Sequence, residues 1–492
     1  MTLDNAPDEV AEEECRDCGY EPELKRTLSG FQVFAVSFAF ISVAVGIFGT
    51  YDNMLATAGP VGIWLWVFAA IGQALVALVV AQFAARIALS GSSYQWGSRL
   101  ANPKIGWMFG WLTFWYLATA AVALDNALAS QAFMPLFGIP DSETTARMIT
   151  VAILVAQAVL VIASTRLLGR ITSVAVVIEV GIVVVVVVAL AVVMLVTGSG
   201  DLGNLTSRGI TAADPNYYAI GGGLMAGMIV GLTTLVGFDS AANLAEEAKD
   251  PFRSVPRAIV ASVIAAGVLG ILFLIALTAA IKDIPAVSAS GSPVAAIIRS
   301  QLGPVAERIL LAGIAFAMFG AGMVVMAACS RQVFAMSRDE RFPAHGLMRK
   351  VNQRTQTPVP ATILILAVGL VLMLALPGAA LIQLIVASTI LPALIYGAIV
   401  ILYLAVRKRL EQKTDGFSLG RFEMPVAVAA LIWEVVVLFV LVTPGDATIP
   451  ALIVLGLILT GGVYFAYMLL FRREVLDSEP GEDAFVAAEE TE

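Results

Sequence analysis

Gly231-Leu-Thr-Thr-Leu-Val-Gly-Phe-Asp-Ser-Ala-Ala-Asn-Leu-Ala-Glu-Glu-Ala-Lys-Asp-Pro251 is the stretch that decides the fold. It opens as the end of an apolar run and closes as a charged segment stopped by proline. Gly237 stands between the halves, where a helix breaks most cheaply. A helix broken inside a bilayer leaves N–H and C=O groups unpaired. Such groups are tolerated only where they line a cavity or hold something. A glycine-interrupted span with polar residues just past the break therefore marks a candidate binding site near the bilayer midplane. The competing reading is an ordinary span carrying a helix-packing glycine.

The rest of the chain supports a membrane setting. Hydrophobic residues make up 59% of its 492 residues and charged residues 13%, against about 25% charged in soluble domains. Mean hydropathy is +0.90. The net charge of −8 comes mostly from acidic termini and does not point to nucleic acid. A single histidine, His345, excludes a multi-histidine metal site. Cys15 and Cys18 form a CxxC pair with no further ligands nearby, so no zinc site is expected. Neither a metal nor a cofactor is expected. No HExxH, GxSxG or phosphate-binding glycine loop appears, so the chain does not read as an enzyme.

Apolar runs long enough to span, about 20 residues each, fall near 31–56, 61–85, 107–135, 147–164, 171–196, 219–247, 256–281, 305–334, 360–376, 381–405, 425–443 and 449–471. Twelve spans are expected. With the N-terminus cytoplasmic, 24 of the 29 Lys and Arg residues fall on the cytoplasmic side and five outside. Positive charge collects on the cytoplasmic side of membrane proteins, so both termini are placed inside. Residues 1–27 and 474–492 read as acidic cytoplasmic tails, with no secretory signal ahead of the first span.

A second interruption is expected in the first span, within Ser42-Val-Ala-Val-Gly-Ile-Phe-Gly-Thr-Tyr51, where Gly46 and Gly49 lie near the middle. The two interrupted spans are five spans apart. That spacing fits a five-plus-five inverted repeat, each half led by a broken helix. Half-helix N-termini suit a carboxylate, and half-helix carbonyls suit an ammonium group. An amino acid-like ligand satisfies both.

These segments resemble the amino acid–polyamine–organocation (APC) superfamily of transporters. Gly237-Phe-Asp-Ser-Ala-Ala-Asn-Leu-Ala-Glu-Glu-Ala-Lys-Asp-Pro251 with Val255-Pro-Arg-Ala258 is similar to its sixth-span pattern. Cys329-Ser-Arg-Gln-Val-Phe-Ala-Met-Ser-Arg-Asp-Glu-Arg-Phe-Pro343, followed by Thr357-Pro-Val-Pro360, resembles its eighth-span exit. Gly91-Ser-Ser-Tyr94 resembles its first cytoplasmic loop. The likeness covers roughly residues 25–475, and Glu-Leu-Lys-Arg26 points to the amino acid/choline branch that includes GABA permeases.

The resemblance implies an all-α, LeuT-like architecture. Its first repeat would occupy 28–200 and its second 201–406, with 407–473 carrying the eleventh and twelfth spans and the loop before them. It implies alternating access around spans 1, 3, 6 and 8 in the cell membrane. Ser42, Val43, Ala44, Val45, Gly46 and Ile47 would meet a substrate carboxylate. Carbonyls of Leu235, Val236 and Gly237 would meet the amine, with Phe238 as an aromatic gate. The family's Gly-Ser/Thr-Gly is replaced here by Ala44-Val45-Gly46. That departure leaves room for GABA, choline or another amine beside α-amino acids.

Buried acids complete the reading. Glu179, alone in the apolar fifth span, resembles in position the ionisable residue of proton-coupled relatives, and is a candidate for loading and releasing a proton. A packed neutral Glu is the alternative. Asp125 is placed at the outer interface or beside an ammonium group. Glu434, on the eleventh span, reads as structural. Asp239, Glu246 and Glu247 read either as an inner gate or as helix caps facing water. Trp111, Trp115 and Tyr116 read as packing residues or as pathway lining. The run Phe316–Cys329 carries no hydroxyl for a sodium site, so proton symport or exchange is expected. The expected partners are a small amine or amino acid, the proton and the bilayer. An exchanger of amino acids or polyamines and a transporter-like nutrient sensor remain alternatives.

Overall fold

The computed structural model describes residues 23–140, 142–290, 292–375, 378–410, 417–443 and 448–478. The CxxC pair and most of both tails lie outside these residues. Ten helical stretches among the described residues are long and apolar enough to cross a membrane. Two shorter apolar helices, Gly223–Thr234 and Val359–Leu374, fall where the sixth and ninth spans are expected. The backbone bonds of a helix are satisfied internally, which a bilayer demands. Among the described residues the one β-type pairing is an isolated bridge, Leu28 to Ala248.

The first span consists of α1 (Gly30–Ile41) and α2 (Val43–Thr57). A capping box starts α1: the Ser29 hydroxyl accepts from the Gln32 N–H, and the Gln32 amide oxygen accepts from the Ser29 N–H. Next come α3 (Ile63–Ala84), the short α4 (Ser92–Leu100) and α5 (Pro103–Ala127). The stretch around Gly91-Ser-Ser-Tyr94, expected as a loop, is thus largely helical. Asn102 caps α5, with Pro103 at its first position, where no N–H is needed. Helix α5 runs into a π-helical segment, Leu128–Phe133. Then follow α6 (Glu143–Ala163) and α7 (Thr165–Thr197).

The expected run 219–247 is more fragmented than its apolarity suggests. It holds α8 (Gly223–Gly227), α9 (Ile229–Thr234), a bare stretch, the single turn α10 (Ser240–Asn243) and a 3₁₀ turn at Ala245–Glu247. Beyond it run α11 (Pro251–Ala279), α12 (Pro293–Leu302) and the 35-residue α13 (Pro304–Arg338). The chain ends in α14 (Val359–Ala375), α15 (Gly378–Val406), α16 (Glu423–Val442), α17 (Thr448–Phe471) and the short α18 (Arg473–Asp477).

Helix α1 packs on α11, α7 and α13, while α5 packs on α13 and α15. The interrupted segments therefore sit at the centre. Helices α7 and α17 turn large apolar side chains outward, among them Val185 at 66%, Leu195 at 85% and Leu470 at 77% exposure. Such surfaces belong in lipid rather than water.

Candidate functional site

The first interruption falls at Ser42, the first residue of the expected stretch Ser42–Tyr51 and ahead of the glycines near its middle. Ser42 takes a left-handed conformation (φ 41°, ψ 78°) between α1 and α2. Its N–H closes α1 on the Phe38 carbonyl at 2.8 Å, and the first N–H groups of α2 then need partners from outside the helix. Gly46 serves a different purpose. A Cβ there would lie 2.2 Å from the Thr234 side chain, so its bare backbone lets the two interrupted spans approach closely.

Glu179 of α7 fills the new helix start. Its Oε1 accepts from the Ala44 N–H at 2.9 Å and from the Ser42 hydroxyl at 3.2 Å. Helix N-termini bind anions, and here the anion site holds a carboxyl of the protein itself. The N–H that sequence reasoning assigns to a substrate carboxylate is thus occupied in this conformation.

The second interruption follows Thr234. Leu235 leaves helical geometry (ψ 45°) and Gly237 takes φ 79°. The Gly237 N–H donates to the Tyr396 hydroxyl at 3.0 Å, which donates to Asp239 Oδ1 at 2.7 Å. Phe238 is fully buried and stacks on Tyr396 with ring centres 4.8 Å apart. Its carbonyl accepts from the Ser37 hydroxyl at 2.7 Å. The break is therefore held from both sides, by α1 and by α15.

Between the two interruptions lies a cavity of about 180 Å³. Of the predicted substrate residues, Ser42, Val45, Gly46 and Val236 line it. Val43, Ala44, Ile47, Leu235, Gly237 and Phe238 form the wall behind and do not. The polar lining comes from Thr50, Tyr116, Gln131, Thr233, Thr234 and, on α15, Ser388 and Thr389. No acidic, basic or histidine side chain is among these lining residues. The Tyr116 hydroxyl is buried and makes no hydrogen bond among the described residues. Such a chamber offers hydroxyls, one amide and aromatic faces, and leaves a ligand's charges to backbone dipoles.

The acids beyond the second break meet arginines at the end of the bundle that carries both described termini. Glu246 accepts from the Ser90 N–H at 2.9 Å and pairs with Arg338 at 2.9 Å. Glu247 pairs with Arg331 at 2.6 Å, both side chains fully buried, and accepts from the Thr165 hydroxyl. The Glu247 carbonyl takes the Thr27 and Leu28 N–H groups, stitching the N-terminal segment to this cluster. Glu23 lies alongside. Partial burial raises its carboxyl above the ordinary value, with Arg338 opposing that shift.

Two acids stand elsewhere. Asp125 is fully buried, and Gln157 of α6 donates to it at 2.8 Å. Glu434 is buried on α16, its Cβ near Gly397 of α15, and does not line the cavity. Sequence reasoning missed Tyr396, Gln131 and the threonine pair Thr233 and Thr234. Tyr396 and Gln131 were detectable as polar side chains inside apolar runs. Their partners lie on spans distant in sequence, so the roles were not.

Two interrupted spans around a chamber lined by uncharged side chains, with buried ion pairs toward one end, fit the class of helical membrane carriers. The profile of the amino acid permease family matches residues 28–463, so the chain belongs to that family and is a transporter rather than an enzyme. It is similar to the amino-acid permease BAT1 of Arabidopsis thaliana, 26% identical over 450 residues and covering 86% of each chain. It is also similar to a putative polyamine transporter of Candida albicans, 26% identical over 383 residues (73% of this chain, 68% of the relative). The GABA-specific permease of Saccharomyces cerevisiae is 27% identical over 354 residues (70% of this chain, 62% of the relative).

Proposed function

We propose that the chain imports an amino acid or amino acid-like amine, such as GABA, by alternating access, with proton uptake on Glu179 as the coupling step. One observation carries this reading: the Glu179 carboxyl sits on the N-terminus of α2 at the cavity edge. A negatively charged Glu179 holds that N-terminus through an anion's hydrogen bonds. A protonated one holds it less strongly and yields it to a substrate carboxylate. Proton and substrate then bind together, which is the thermodynamic requirement of symport. Names of relatives, covering GABA, polyamines and amino acids, support the ligand class.

The architecture proposed is twelve spans. The interrupted α1–α2 and α8–α10 lead two inverted repeats, 28–200 and 201–406, with 407–473 appended. The positive-charge bias puts the ion-paired face and both termini in the cytoplasm, and the natural membrane is the cell membrane. On that orientation Asp239, Glu246 and Glu247 form the inner gate, with Phe238 as the aromatic wall next to it.

Reconstituted protein tests the coupling. Radiolabelled GABA, choline, putrescine and α-amino acids are offered to proteoliposomes under an acid-outside gradient, with and without sodium. Wild type is expected to accumulate one of these without sodium. Glu179→Gln is expected to keep counterflow and lose accumulation. Accumulation that survives the substitution refutes the role of Glu179. Counterflow with no response to the gradient makes the protein an exchanger.

A further inference from the structure

The transport reading leaves two buried acids unused, Glu434 on α16 and Asp125 on α5. Asp125 lies on α5 between Leu124 and Ala127, which line the cavity while it does not. It faces away, into the contact of α5 with α6 and α13. Gln157 Nε2 donates to Asp125 Oδ1 at 2.8 Å and to the Phe319 carbonyl at 3.2 Å. A Cβ on Gly322 of α13 would lie 2.3 Å from Gln157 Nε2 and 2.6 Å from Asp125 Oδ1. The acid–amide pair is therefore pressed onto bare helix backbone. Asp125 Oδ2 and Gln157 Oε1 are both buried and make no hydrogen bond among the described residues.

The described residues packed against Asp125 offer no charge to balance its own. From α6 the facing group is Gln157, and from α13 it is Gly322 with the Phe319 carbonyl. On α13 the nearest charged residue along the helix is Arg331, about 13 Å away by helical rise and already paired with Glu247. On α6 it is Arg147, about 15 Å away by the same measure, bound to Glu143. Lys104 of α5 lies at the far end of its helix, paired with Asp477. Helix α14 carries no ionisable side chain, and on α15 the tyrosine facing inward, Tyr396, is engaged with Asp239. A carboxylate at Asp125 has one neutral donor and an unpaired oxygen, whereas a proton on Oδ2 removes the charge.

The position connects to the cavity. The Leu128 N–H is shared between the Asp125 and Leu124 carbonyls, where the helix changes to the π register of Leu128–Phe133. That segment carries Gln131, which lines the cavity. π-segments inside α-helices often mark sites of function.

We propose that Asp125, paired with Gln157, is a second proton-binding site, separate from Glu179. With its proton in place the contact of α5, α6 and α13 stays dry and closed. When the proton leaves, the carboxylate draws a solvating group to Oδ2. The contact then loosens, moving the π-segment and Gln131. The site goes beyond the coupling role given to Glu179, and needs only a working carrier for its second readout.

The first readout is infrared difference spectroscopy of purified, reconstituted protein stepped from acid to alkaline pH. Wild type is expected to show the C=O stretch of a protonated aspartate disappearing as pH rises. Asp125→Asn loses that band and Glu179→Gln keeps it. An unchanged spectrum in Asp125→Asn overturns the proposal. So does a band that moves with sodium concentration, since the ligand would then be a metal cation. The second readout is counterflow across pH, where Asp125→Asn keeps wild-type exchange in acid and loses the pH-dependent change seen in wild type. An unaltered profile overturns the link to the cavity. Should Asp125→Asn fail to fold, Gln157→Asn withdraws the amide donor and leaves the acid intact. The aspartate band must then shift, and a band that stays put refutes the pairing. Accumulation under a proton gradient reports on Glu179 separately, so either assignment can fail alone.

Discussion

At the scale of single residues, Gly237 is the most constrained position in the central region. Its φ of 79° is one that side chains bearing a Cβ rarely adopt. A Cβ there would lie 1.9 Å from the Phe40 ring, which itself lines the cavity. Its N–H is held by Tyr396, so the backbone has no room to rotate away. Gly237→Ala must therefore push Phe40 into the cavity or pull the break off Tyr396. Overpacking of this kind costs about 1–3 kcal/mol. The expected result is a carrier that inserts and purifies but binds no substrate, read as lost counterflow beside a modestly lowered melting temperature in detergent. Counterflow at the wild-type level would show that the break tolerates a side chain and that the packing against Phe40 does not matter.

At the scale of elements, the inner-face cluster turns on α13, which brings Arg331 and Arg338 to the two acids after the sixth-span break. Arg331 and Glu247 are both fully buried. Removing one partner of a buried pair strands the other and costs about 3–5 kcal/mol, whereas removing both is far less damaging. Arg331→Met and Glu247→Gln alone should each lower the melting temperature strongly, and the double variant should recover much of the loss. Equal or additive losses would mean that the pair is not a coupled unit. Sequence alone identified the two acids and their place beyond the break, because charge after a glycine-interrupted apolar run is a local pattern. It could not identify their partners, which lie more than 80 residues away along the chain. For the same reason the stretch Ser42–Tyr51 could be marked as interrupted without Ser42 being singled out as the break. Local pattern marks a glycine as a weak point, but here Gly46 is spent on contact with Thr234, while Ser42 is stabilised in its unusual conformation by Glu179. Helix α4 was missed because nine residues, mostly polar, carry too little periodicity to be read as a helix.

At the scale of the whole molecule, the two ends of the bundle are unequal. The face with the termini is tied by the Glu246–Arg338 and Glu247–Arg331 pairs and by Arg341, which reaches the Tyr94 hydroxyl at 3.2 Å and the Val475 carbonyl at 3.0 Å. On the proposed orientation, Thr50 and Gln131 lie toward the opposite face, Gln131 within the π-segment. If these ion pairs are the inner gate, a carrier closed by them should sample states open to the outside. That population can be counted with a thiol. Cys329 is buried, and Cys15 and Cys18 can be changed to serine, leaving a silent background. On it, Gln131→Cys should react with a membrane-impermeant thiol reagent applied to intact cells. Adding Arg338→Ala removes one inner tie and should shift the carrier toward states open inside. Each ~1.4 kcal/mol lost from the closed inner face changes that balance about tenfold. Outside labelling of Gln131→Cys should then slow, approaching that factor only where states open inside come to predominate, and added substrate should protect the thiol in the parent. Labelling that is unchanged by Arg338→Ala would mean that the inner ion pairs are structural anchors and that the gate closes by packing alone.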